Sequence, residues 1–118
     1  MSNFNFPTND HVYYHAHVYF DHNTVSLATT LCHQVSVLFN VKLGRMHHKT
    51  IGPHPRWSCQ ISFSSNVYHS LIPWLEENRK GLTILIHALT GDDLKDHEQY
   101  SFWLGETLAL NLSVFIDN

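Results

Sequence analysis

Charge is what this sequence has least of. Asp, Glu, Lys and Arg make up 14% of its 118 residues, with 7 Lys+Arg against 10 Asp+Glu and a formal net charge of -3. No basic stripe or arm is visible, which excludes the electrostatic footprint of a nucleic-acid binder. Only two cysteines are present, Cys32 and Cys59, too few for the disulfide framework of a small secreted scaffold. Both fall on apolar faces of an expected helix and an expected strand, and read as buried thiols in a reducing cytoplasm. Long apolar runs are missing as well. None approaches the roughly 20 residues that span a bilayer, so no membrane partner is expected. The polar start MSNFNFPTND lacks the pattern of a signal peptide. There is no GxSxG turn and no glycine-rich phosphate cradle, and neither cysteine has an obvious base beside it. With 43% hydrophobic residues, the chain reads as one soluble domain over 1–118, long enough to bury a core without staples.

Histidine, by contrast, is abundant. There are 11, more than Lys and Arg together, and they are scattered from His11 to His97 rather than gathered in a tag. Imidazole is the side chain best suited to metal ligation and proton transfer at neutral pH. His11, His22, His33, His47, His48 and His69 are expected to be ordinary polar surface positions. His15, His17, His54, His87 and His97 fall in more informative surroundings.

The run HVYYHAHVYF, residues 11–20, alternates strictly. Val12, Tyr14, Ala16, Val18 and Phe20 take one side; Tyr13, His15, His17 and Tyr19 take the other, as in a half-buried strand. Asn23 or Thr24 can cap a helix carrying Leu27, Ala28, Leu31, Val35, Leu38 and Phe39 at helical spacing. A short strand is expected over about Val41 to His47. After the turn IGPHP, RWSCQISF alternates again, with Trp57, Cys59, Ile61 and Phe63 opposite Arg56, Ser58, Gln60 and Ser62. A second helix opens at Ser65 or Asn66, is kinked or truly begun at Pro73, and closes at Arg79, Lys80 and Gly81. Leu82 to Leu89 is rich in β-formers and too short for a helix. Asp92 can cap a brief helix with Asp96, His97 and Glu98. Alternation of Leu108, Leu110, Leu112 and Val114 suggests a fifth strand.

The order predicts an α+β, ferredoxin-like β-α-β-β-α-β antiparallel sheet with two helices on one face and an extra C-terminal strand. The helices would cover the face of Val18 and Ile61. His15, His17, His54 and His87 then share the opposite face, which must be solvated, covered by the C-terminal segment, or paired with a second subunit. His15 and His17, two residues apart, stand roughly 6.6 Å apart on that face and can lean toward one metal. Pro53 has a fixed φ and Pro55 confines His54 to extended backbone, so the direction of that imidazole is preset. The alternative for this stretch is a rigid entry into the third strand. Ideal pairing puts His54 near the far end of the first strand and His87 near its start. Asp92, Asp96 and Glu98 are unranked candidates for a carboxylate ligand.

Taken in order, YHAHVYFD, GPHPRWSCQISF and WLEENRKGLTILIHALTGDDLKDHEQYSFWLG resemble the DOPA 4,5-dioxygenase family, over about Tyr14 to Gly105. The resemblance implies a ferredoxin-like, homodimeric, cytoplasmic extradiol dioxygenase that opens a catechol ring with O2 at a non-haem Fe(II) site. By motif, the family's histidines fall on His17, His54, His87 and His97, while Ala88 stands where proline is more usual. The expected roles are metal ligation by His17, His54 and His87, and proton transfer by His97 and His15. Tyr13, Tyr19 and Arg56 are expected to position substrate, and zinc is the expected alternative occupant in the purified protein. Two rivals use the same fold: a module binding a small aromatic without oxidation, and a structural or sensory zinc protein.

Overall fold

The computed structural model describes residues 7–116; the first six residues of the polar N-terminal stretch lie outside them. Five strands form one antiparallel sheet: β1 Tyr13–Phe20, β2 Lys42–His47, β3 Trp57–Ser64, β4 Ile84–Ala88 and β5 Ser101–Leu104. Their order is β2-β3-β1-β4-β5, the ferredoxin-like arrangement with one strand added beyond β4. The helices α1, Val25–Leu38, and α2, Ser65–Asn78, are the two crossovers, and α3, Asp93–Glu98, links β4 to β5.

The alternation read along the first strand decides the core. Ala16, Val18, Ile61, Ile84 and Ile86 are fully buried beneath Leu31, Val35, Leu71 and Leu75 of the two helices. Each large apolar side chain buried there contributes about 1.5–3 kcal/mol. The strand begins at Tyr13 rather than His11, and Val12 is largely exposed. Both cysteines are free and buried.

The helix ends follow local chemistry. Thr24 caps α1 by position, although its hydroxyl accepts from the Asp21 N–H at 2.9 Å. Pro73 lies inside α2 and does not begin it. That helix ends at Arg79, where Lys80 and Gly81 both take positive φ, 50° and 84°. Among the described residues no helix is long and apolar enough to cross a membrane.

The fifth strand is in a different place from the one expected. Leu108–Val114 forms no ladder, and β5 is Ser101–Leu104, directly after α3. The leucine alternation is nonetheless real in burial: Leu108, Leu110 and Leu112 are half-buried, while Ala109, Asn111 and Ser113 are exposed. β5 already occupies the free edge of β4. The C-terminal segment therefore lies as a strap over the far side of the sheet, ending in a 3-10 turn at Leu112–Phe115. Asn111 N–H donates to the Pro53 carbonyl at 2.9 Å, tying that strap to the loop that carries His54.

Candidate metal centre

Register brings the histidines together. His15 lies directly opposite His87 across β1 and β4, and His17 follows two residues along the same face, so their side chains are forced into one neighbourhood. His17 is the hub. Its ring centroid is 4.0 Å from that of His54 and 4.9 Å from that of His87. His97 comes in from α3, 4.0 Å from His87. The opposed positions expected for His54 and His87 are bridged because His17 sits between them.

The ligand nitrogens of His15, His17 and His87 all lie within 4.8 Å of one another. His87 Nδ1 is 2.9 Å from its neighbour's carbonyl, that of Ala88. A carbonyl only accepts, so this nitrogen carries the proton and His87 Nε2 presents its lone pair. His17 Nε2, 2.9 Å from His87 Nε2, therefore donates to it. A metal ion would take the place of that shared proton. The bond from the ligand's second nitrogen to a carbonyl is the usual way a coordinating imidazole is oriented. His97 is held likewise, with Nδ1 2.7 Å from the Asp93 carbonyl. Tyr19 OH and His54 Nδ1 are 2.6 Å apart, which adds a second restraint to the turn where His54 N–H donates to Ile51 at 3.0 Å. Gly52 supplies the φ of 55° that this turn needs.

Burial keeps these rings neutral. Loss of solvent first, then the other histidines, holds His17 well below the ordinary imidazole range. The same causes lower His87 to about 3 and His54 to about 4, and lower His15. Neutral imidazole is the form that binds a metal. Nitrogen donors of this kind suit zinc, iron, copper or nickel, so the residues fit a first-row divalent ion.

The remaining site residues separate clearly. Tyr19 is buried in the cluster, with its ring 5.9 Å from Trp103. Tyr13, 59% exposed, stands at the open end of β1. Arg56 is not brought in: it lies on the surface and pairs with Glu106 at 3.2 Å. None of the acidic candidates joins the cluster. Asp92 caps α3 by accepting from Lys95 N–H at 3.1 Å, and Glu98 is exposed. Asp96 is buried and accepts from Thr90 N–H at 2.9 Å and Thr90 Oγ1 at 2.6 Å. The loop behind His97 is thereby pinned.

Some contributors had no local sequence signal. Phe115, on the strap, packs against His97 with centroids 4.5 Å apart. Ser62 is opposite His15, as strand parity allows, and Lys42 is opposite Ser62. A groove of about 410 Å3 opens beside His15, between Tyr13 and Lys42.

Residues 14–114 match the Dopa 4,5-dioxygenase family. A protein of Amanita muscaria named DOPA 4,5-dioxygenase is 33% identical over 109 residues, which is 85% of this chain and 48% of that protein. An uncharacterised 21.2 kDa protein of Botryotinia fuckeliana is 34% identical over 82 residues, 63% of this chain and 45% of that protein. The chain thus spans about half the length of these two relatives. A crystal structure from Nostoc punctiforme, described as a "putative dioxygenase", superimposes with a TM-score of 0.87 at 43% identity. It covers 93% of this chain and 96% of its own.

Proposed function

The chain belongs to the Dopa 4,5-dioxygenase family, and from that premise we propose that it is an extradiol dioxygenase opening a DOPA-like catechol ring with O2 at a non-haem Fe(II) centre. One observation carries the reading. Three ring nitrogens, from His15, His17 and His87, converge on a face of the sheet that the helices leave free. The reaction balances without an outside reductant: a ring C–C bond beside the diol breaks, both oxygen atoms enter the product, and the ring carbons are oxidised as O2 is reduced.

His17 and His87 are the common core of the metal site in this reading, with His15 as third ligand. His54 flanks His17 from the other side, held by Tyr19. When bound, ferrous ion supplies Lewis acidity toward the catechol hydroxyls and a redox partner for O2. The chain does the rest. His97, with its Nδ1–H committed to the Asp93 carbonyl, offers Nε2 as the base that collects a catechol proton and later returns it. Phe115 and the strap limit water on that side. Tyr13 flanks the entering ring. A cytoplasmic homodimer completes the reading.

The test is anaerobic reconstitution with Fe(II), then addition of a catechol and O2. The expected result is one bound iron per chain, one O2 consumed per catechol and the yellow absorbance of a ring-opened semialdehyde. His17→Ala abolishes both metal retention and turnover. Iron binding with no O2 uptake on any catechol would make the protein a binding module. Tight zinc that raises the melting temperature and cannot be exchanged for iron would make the site structural.

A further inference from the structure

The face of the sheet is covered unevenly. Around His17, Tyr19, Ser58, Leu85 and His87 it is closed, and all five side chains are buried. Beyond His15 it is open, and the groove begins there. Cross-strand pairing puts Lys42, Ser62, His15 and His87 in a single row, one residue per strand, on the same face. Adjacent strands are about 4.8 Å apart, so the Lys42 backbone lies roughly 10 Å from that of His15, with only the small Ser62 between them. The four-carbon stem of Lys42 lets its ammonium lean over Ser62 toward the histidines. Among the described residues lining the groove, Lys42 is the one lysine or arginine, and no Asp or Glu lines it.

We propose that Lys42 is a specificity determinant, binding an anionic substituent carried on a short arm by the catechol ring. The proposal rests on the dioxygenase reading for the position of the ring, beside His15 and against Tyr13. An aromatic anchored there extends its side chain along the row, where Ser62 offers a hydroxyl and Lys42 a cation. A carboxylate finds a partner, and an ammonium finds none. The groove therefore favours anionic catechols over neutral ones, and neutral ones over amines.

The test is equilibrium binding by calorimetry to the zinc-loaded protein, which binds without oxidising. The probes are 3,4-dihydroxyphenylacetate, 4-methylcatechol and dopamine. In the unaltered protein the carboxylate binds tightest, and only its affinity falls with added salt. Lys42→Gln lowers the preference for carboxylate over 4-methylcatechol by roughly two- to fivefold, the scale of a solvent-exposed ion pair. Lys42→Glu reverses the order in favour of dopamine, whereas Lys49→Gln, an exposed lysine outside the groove, leaves it as it was. The same titrations on metal-free protein keep this outcome separate from the iron experiment: charge preference without turnover would sink the oxygenase reading alone. Equal preference in both Lys42 variants, or no salt dependence, overturns the proposal. So does a change in sedimentation with preference intact, which would assign the face to a second copy of the chain.

Discussion

Beneath the helices, Ile61 and Ile86 are fully buried among Leu31, Val35, Leu71 and Leu75. One residue along the strands, on the other side of the same sheet, His17 and His87 are 5% and 2% exposed. Solvent is excluded from both places, but by different means. The apolar face is sealed by two long helices, and each buried aliphatic group there favours folding. The histidine face is sealed by a Pro-rich loop and a C-terminal strap. An imidazole buried without partners costs free energy, so its hydrogen bonds to Ala88, Tyr19 and Asp93 are what make burial tolerable. One face holds the fold together; the other is held in place by it.

That contrast can be broken most directly with paired substitutions. Leu71→Ala, in the fully packed core, is expected to cost about 2–5 kcal/mol of unfolding free energy while retaining the metal. His17→Ala is expected to cost less in urea denaturation yet lose the metal altogether. Equal destabilisation by the two would mean that the histidine face is as much a part of the folding core as the helix-covered one.

Acid sharpens the same distinction. His54 and His87 titrate near 4 and 3 in the folded protein, below about 6.5 in an unfolded chain. The unfolded state therefore takes up protons first as pH falls. Stability of the metal-free protein is essentially complete above about pH 6.5 and declines toward pH 4, by on the order of 3 kcal/mol per histidine. Urea titrations at a series of pH values measure it. A curve flat from pH 7 to 4.5 would show the imidazoles open to solvent.

The smallest expected effect lies in the loop behind His97. Asp96→Asn removes the charge from a carboxylate that accepts two bonds from Thr90, for about 1 kcal/mol. Faster hydrogen exchange at the Thr90 amide, with the core amides unchanged, is the signature. Unaltered exchange there would show that the carboxylate does not pin the loop.

Much of this was legible in the residues. Strict alternation from Tyr13 to Phe20 separated the two faces of the first strand correctly, because an extended chain has a period of two wherever it sits, whereas Val12, before the strand, is exposed. The proline-flanked His54 announced a fixed side chain, and the structure places it beside His17. Misreading came where pattern and pairing part company. Leu108 to Ser113 alternates in burial like a strand, but hydrogen-bonding edges are a property of the assembled sheet. The β4 edge was already taken by Ser101–Leu104. The carboxylates near His97 looked equally available in the sequence; in the folded protein Asp92 and Asp96 are spent on caps and turns. Lys42 gave no sign of itself, since its place opposite Ser62 depends on a register shift between Leu43 and Met46 in β2.

By itself, then, the sequence determined which residues would be extended, which side of each strand would be greasy, and that imidazoles would share the other side. Those outcomes depend on periodicity and on the fixed φ of proline, both local properties. Tertiary structure alone decided which histidines meet, how far they are buried, and what covers them. These depend on strand register and on a C-terminal segment crossing back over the sheet, and both join residues far apart in the chain.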